Sequence, residues 1–350
     1  MNFDKIDKIL ADEPKFRAKQ VGQVIWRDLI EDWEQATTLP IELRKKLAQE
    51  CQLEIKAEIF TGDKKQSAKA LITLQDGLSV ETVLMRHQGR NTVCVSSQVG
   101  CPLGCLFCAT GKMGFKRNLS VGEITEQVLF WSRWLNHPTL ALLASPKRER
   151  SGPLAGEGKS RVNNIVFMGM GEPFLNYDNV FGAINILNDD NLLGIGSRHI
   201  SISTAGIVEG MERMAEDMPQ INLAISLHAP NDELRQKLMP VAKKYPLVQV
   251  MAAAESYAAK TNRKLMFEYV MIKGVNDSVE QAKELAKLLD NRLYFVNLIV
   301  YNQTGDFIPS EPAQVKRFKD VLMKAGIQAL ERYRFGQDIA GACGQLSSKN

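Results

Sequence analysis

From residue 91 onward, strand-like apolar runs alternate with helix-like stretches six times, and this alternation restricts the fold more than any other feature of the chain. The runs are NTVCVSS, NNIVFMG, RHISIST, INLAISLH, KLMFEYVMI and LYFVNLIVY. Each precedes a stretch with helical spacing, near Val121–Trp134, Tyr177–Leu187, Val208–Glu216, Val248–Lys260, Ser278–Leu288 and Pro312–Lys324. Strict alternation implies a parallel sheet, because a strand reaches the same direction as its predecessor only through a crossover helix. Six units are fewer than the eight that close a full barrel, so the expected architecture is α/β, an open partial (β/α)6 barrel over residues 91–335. Ligands gather at the carboxyl ends of parallel strands, which directs attention to the residues just after each run.

The rest of the chain divides around this unit. Residues 1–52 read as a small helical domain, with Phe3, Ile6, Ile9 and Leu10, then Val21, Ile25, Trp26 and Leu29, at helix spacing. Pro14 separates its first two helices, and Leu39-Pro40 opens a third. Residues 53–90 hold alternating stretches broken by Gly62-Asp63 and Asp76-Gly77, a short β extension. Residues 137–162 are rich in Pro, Gly, Ser and charge, which predicts a flexible insertion, with a basic arm around KRER as the alternative. Residues 336–350 form a tail.

No run of 18 apolar residues occurs and the amino terminus lacks a signal-peptide pattern, so a cytoplasmic chain without a membrane span is expected. A net charge of +4 is too small to indicate nucleic-acid binding by itself. The basic groups KFRAK, LRKKL, FKRN, VAKKY, VKRFK and RYRF permit a phosphate-rich partner, although each also suits a solvated helix face.

The chemistry begins at GCPLGCLFCATGKMGF, where Cys101, Cys105 and Cys108 have the spacing CxxxCxxC. Three thiolates hold three corners of a cubane cluster, whereas a fully protein-held cluster takes four. One iron is then open to another ligand. Zinc is the alternative, but zinc modules usually pair two CxxC units, and no second pair or spaced histidine follows. Among the other cysteines, Cys51 reads as a small buried hydrophobe, while Cys343, between Gly341-Ala342 and Gly344 near the terminus, has the accessible setting of a reacting thiol. The strand ends add Gly171 and Glu172 in GMGEP, Ser203 and Thr204, then Ser226, Leu227 and His228, and Asn302. Singly these are common turn residues; together they form a polar ring above the sheet.

The cysteine spacing and the aromatic Phe107 before its last member resemble the radical S-adenosylmethionine (SAM) superfamily. Over FRAKQ, LPIELRKKL, ETVLM, CVSSQVGCPLGCLFCATGKMGFKRNL, MGMGEP, STAG, SLHAPND, EYVMI, VNLI and ACGQL, the chain resembles the radical SAM 23S rRNA and tRNA adenine-C2 methyltransferases. The insertion is not expected of that family, and RYRF departs from its usual approach to the last cysteine, which leaves open an RNA contact by Arg332 and Arg334.

That resemblance implies one 4Fe–4S cluster on Cys101, Cys105 and Cys108, and a SAM site built from Gly171, Glu172, Ser203, Ser226, Leu227, His228 and Asn302. It implies two SAM molecules per turnover: one methylates Cys343, and the second yields the radical that activates the S-methyl group. Cys94 would release the product by forming a transient disulfide with Cys343. Glu81 or Cys94 would accept the C2 proton. The implied partners are 23S rRNA and tRNA and an electron donor such as flavodoxin or ferredoxin, with the enzyme acting as a monomer. Two other readings are a relative that methylates adenine C8 and a non-catalytic RNA-binding protein with a structural metal.

Overall fold

The alternating stretches ahead of the repeats fold as an antiparallel meander, β1 (Ala57–Thr61), β2 (Ser67–Thr73) and β3 (Ser79–His87), which pairs with β4 (Arg90–Cys94). The structure is a computed structural model and describes residues 3–63, 66–136 and 161–347. The flexible insertion expected at 137–162 lies outside the described residues except for its last two positions. After β4 the chain makes a small hairpin, β5 (Gln98–Gly100) with β6 (Phe115–Asn118), around the cysteine segment. It then returns to the main sheet as β7 (Asn164–Phe167), β8 (Ile200–Thr204), β9 (Asn222–Ser226), β10 (Leu265–Met271) and β11 (Tyr294–Val300).

All six expected repeat strands form, and β4 pairs in parallel with β7, followed in order by β8, β9, β10 and β11. A further parallel strand, β12 (Gln328–Glu331), adds to the outer edge of β11 after the sixth helix. It escaped the sequence pattern because it has four residues, of which only Ala329 is buried. The main sheet runs β1-β2-β3-β4-β7-β8-β9-β10-β11-β12 without pairing its ends, so the barrel is open.

Crossover helices cover the sheet, including 121–136, 177–188, 208–217, 247–261, 279–288 and 312–324. A short helix at 232–238, between β9 and the helix at 247–261, was not anticipated. The buried inward and outward residues of the parallel strands join these helices in one large core, as two-sided burial of parallel strands requires.

Helices 3–10, 16–26 and 41–50 gather around Ile25, Trp26, Trp33 and Leu47 in a core of their own, to which Leu129 of the first crossover helix contributes. Arg133 on the same helix donates to the carbonyl oxygens of Leu53, at 2.7 Å, and Ile30. A buried guanidinium thereby joins the helical domain to the barrel. Among the described residues no helix is long and apolar enough to cross a membrane.

Candidate active site

The β5–β6 hairpin fixes the cysteine loop through a backbone contact that tolerates no side chain at its base. Cys101 N–H donates to Gly114 O at 3.1 Å, and Gly100, at φ +75°, would drive an added Cβ to 1.8 Å from that same oxygen. Across the loop, Thr304 Oγ donates to Phe107 O at 2.9 Å and Lys112 Nζ to Thr304 O at 3.0 Å. Residues just after β11 therefore brace the segment that carries Phe107 and Cys108.

The loop closes one side of a cavity of about 950 Å³ over the carboxyl ends of the parallel strands. Cys101, Cys105 and Cys108 line it, and so do Gly171, Glu172, Ser203, Ser226, His228 and Asn302. The structure thus brings together nearly all of the expected cluster and SAM residues. Leu227 is fully buried beside them; its N–H donates to Glu268 O at 3.0 Å, and it is not among the lining residues.

Burial pushes the Cys101 thiol up to about 12 and Cys105 well above the usual thiol range. Such thiols ionise when a metal's positive charge sits among them. Three thiol donors on one face of a cavity, with room beyond them for a further ligand, fit an iron–sulfur cluster with one open position. Among the described residues no three or more His, Cys, Asp or Glu side chains converge on a single-ion site.

Glu172 is buried at the start of a short turn, where Oε1 accepts from Phe174 N–H at 3.1 Å and Oε2 from Ala205 N–H at 2.7 Å. Burial nevertheless raises its carboxyl to about 7. A ligand ammonium against it would restore the charged form. The preceding Gly171, at φ +99°, would place a Cβ 2.5 Å from that of Gln98, so the turn closes only with glycine there. Behind Ala205, the fully buried Arg235 donates to Ala205 O at 2.7 Å and to Tyr245 O at 2.9 Å.

His228 has a left-handed backbone, φ +60°, and its Nδ1 accepts from Val270 N–H at 3.0 Å. Burial, with the Arg235 charge behind it, lowers its pKa to about 3, so the ring is neutral with the proton on Nε2. Its ring meets Phe107 edge-on at 4.8 Å.

A second cavity, of about 570 Å³, lies beside the first. Cys94, Arg332, Tyr333, Arg334 and Phe335 line it. Cys343 lines both cavities. Its carbonyl accepts from Asn302 Nδ2 at 3.0 Å, while Gly344 O accepts from Ala109 N–H at 2.8 Å and Leu346 O from Thr110 Oγ at 2.6 Å. The tail therefore docks directly on the residues that follow Cys108. Cys343 is exposed through the cavity mouth, yet the surrounding protein pushes its thiol up to about 11, an effect the Arg332 guanidinium opposes. Cys94, buried at the end of β4, is pushed up to about 12. Its carbonyl accepts from Thr82 Oγ at 2.7 Å, and Trp131 Nε1 supports Thr82 at 3.2 Å.

Glu81 lines neither cavity. Its Oε1 pairs with Lys69 Nζ at 2.7 Å in a buried ion pair, and its Oε2 accepts from Ser347 N–H at 2.7 Å. Cys51 is buried in the helical domain, as anticipated.

Sequence reasoning missed Glu268, on β10, which lines the cavity of the three clustered thiols. Its carboxylate accepts from Ser203 Oγ at 2.6 Å and Arg332 Nη1 at 2.9 Å. The signal was present: a lone acid inside the apolar run KLMFEYVMI has to find partners.

Comparison with known proteins finds similarity along the whole chain. The Radical SAM superfamily profile matches residues 154–289, and the Ribosomal RNA large subunit methyltransferase N-terminal domain profile matches residues 8–53. A protein of Symbiobacterium thermophilum named probable dual-specificity RNA methyltransferase RlmN is 42% identical, over 100% of this chain and 90% of its own length. One of the same name from Dictyoglomus thermophilum is 42% identical over 99% and 94%. The crystal structure of a radical SAM methyltransferase from Sphaerobacter thermophilus superposes with a TM-score of 0.88 at 38% identity, covering 100% of this chain and 98% of that one.

Proposed function

We infer that this chain, which belongs to the RlmN family of dual-specificity RNA methyltransferases, is a radical SAM enzyme that methylates carbon 2 of adenine in 23S rRNA and tRNA. The observation that carries the reading is the position of Cys343 in the wall shared by two cavities, one with the three clustered thiols and the other with Cys94.

Cys101, Cys105 and Cys108 would hold a 4Fe–4S cluster, which together with SAM would supply the radical chemistry that an electron-poor carbon closed to ordinary methyl transfer requires. Glu172 holds the methionyl ammonium. Ser203, Ser226, His228 and Asn302 line the remainder of that site, and Leu227 packs behind it. Cys343 takes a methyl from a first SAM, so two are used per turnover; the Arg332 charge assists by favouring its thiolate. Once a hydrogen atom has been abstracted from the S-methyl group, its methylene carbon would bond to C2; the adduct would give up one electron, which the cluster can accept, and the RNA is then held covalently through Cys343.

Release requires loss of the C2 proton and cleavage of the carbon–sulfur bond. Cys94 attacks the Cys343 sulfur as a thiolate, the C–S bond breaks with its electron pair leaving on the methylene carbon, that carbon takes up a proton to become the C2 methyl group, and a Cys94–Cys343 disulfide forms. Of the two candidates for the proton, Cys94 lines the reaction cavity, whereas both carboxylate oxygens of Glu81 are engaged. A flavodoxin or ferredoxin feeds the cluster and an external reductant resets the disulfide. The enzyme works in the cytoplasm as a monomer, its helical domain 1–52 assisting RNA binding.

The deciding experiment supplies SAM and an anaerobic reductant with protein-free 23S rRNA and tRNA, followed by mass spectrometry of the nucleosides. 2-Methyladenosine is expected; 8-methyladenosine, or SAM-independent binding alone, would replace this reading. Cys94→Ala should accumulate an RNA–protein adduct, and Cys343→Ala should give neither adduct nor product.

A further inference from the structure

The second cavity opens beside an aromatic group that the mechanism does not use. His87 ends β3, and Tyr333 and Phe335 follow β12. The rings of Tyr333 and Phe335 lie 4.7 Å apart, and His87 reaches them at 5.2 and 5.8 Å. Tyr333 is 50% exposed and His87 is exposed. Tyr333 OH donates to Gln66 Oε1 at 3.1 Å, which fixes the ring from the side. Three aromatic rings grouped and at least partly exposed at the edge of a cavity offer a flat surface for stacking.

We propose that His87, Tyr333 and Phe335 form a stacking platform that receives the extruded adenine of the RNA as it enters the cavity of Cys343. Tyr333 and Phe335 line that cavity together with Cys94 and Cys343, so a base lying on them is already beside the reacting thiols. Arg334, exposed between the two rings in sequence, lines the same cavity and supplies a cation for the adjoining phosphate. The neighbouring Arg86 is committed elsewhere, 4.8 Å over the Trp134 ring. An enzyme that modifies a base must remove it from its stack, and aromatic side chains replace the lost stacking. The role of Arg332 is separate, since its guanidinium turns inward to Glu268.

This inference rests on RNA being the substrate, and the test separates the two. The probe is an RNA hairpin with a single loop adenine replaced by 2-aminopurine, whose fluorescence falls when it stacks. Tyr333→Leu and Phe335→Leu should each weaken binding about tenfold and relieve the quench, compared with wild-type protein at equal occupancy of S-methylated Cys343. Tyr333→Trp and Phe335→Trp should restore affinity and quenching, which guards against a folding defect. If wild-type protein methylates adenine but the leucine variants bind and quench like wild type, the platform is wrong. Equal losses in the leucine and tryptophan variants would also overturn it. If wild-type protein methylates no RNA, the functional reading fails instead.

Discussion

Replacing Glu81 tests how the C-terminal tail is held. The carboxylate is 1% exposed and its partner Lys69 6%, so Glu81→Ala leaves an ammonium buried without its counter-charge. On β2 and β3 the two are diagonal neighbours, since Leu71 faces Glu81 and Lys69 faces Val83. Breaking such a pair from one side costs about 3–5 kcal/mol, whereas replacing both members with apolar residues is often neutral. The lost acceptor for Ser347 N–H adds about 1 kcal/mol. We therefore expect Glu81→Ala to lose about 4–6 kcal/mol and Lys69→Met/Glu81→Leu to stay within about 2 kcal/mol of wild type. Guanidinium unfolding of the anaerobic holoenzyme, followed by tryptophan fluorescence, reads the stability. Hydrogen exchange at residues 343–347 reads the tail and should accelerate in both variants. A double variant as unstable as Glu81→Ala would refute the buried-pair argument, and unchanged exchange would refute a role for the Glu81–Ser347 hydrogen bond in holding the tail.

Three further outcomes follow from the geometry. Gly210→Ala would press a Cβ to 2.4 Å from the Phe174 ring, so a loss of about 1–3 kcal/mol and weaker SAM binding are expected in denaturation and calorimetry. Arg235→Gln removes a charged donor from the carbonyl of Ala205, the residue whose N–H holds Glu172, and should weaken SAM about tenfold by calorimetry, with RNA affinity unchanged. His228, with a folded pKa of about 3 against about 6.5 unfolded, supports the fold above pH 6.5. As pH falls from there toward 3 the unfolded state binds the extra proton, and stability drops by up to about 1.4 kcal/mol per unit. A His228→Asn variant should show a shallower slope over that window; an unchanged slope would remove His228 as its source.

The parts of this fold written in local pattern were legible. Six parallel strands announced themselves because each is an apolar run closed by a turn and a helix, and the grouping of Cys101, Cys105 and Cys108 did so because their spacing is a property of one loop. What escaped was set by distant partners. Glu268 meets Arg332 64 residues later, and Glu81 meets Ser347 266 residues later. No periodicity encodes either encounter. Glu81 could be noticed from its motif but not recognised as half of an ion pair, since its partner Lys69 sits among residues that read as an ordinary strand. The aromatic ring cluster likewise depends on β3 and the post-β12 segment lying side by side.

The hydrogen bonds from Ala109 and Thr110 to Gly344 and Leu346 make the tail and the cysteine loop a single unit of construction. An engineer who grafts the CxxxCxxC loop into another barrel would acquire its three thiols without the fourth, Cys343, that lines the same cavity. One who moves the tail alone would acquire a thiol with no seat. The two segments are transplantable only together, and a bulky substitution at position 109 or 344 would act on both at once.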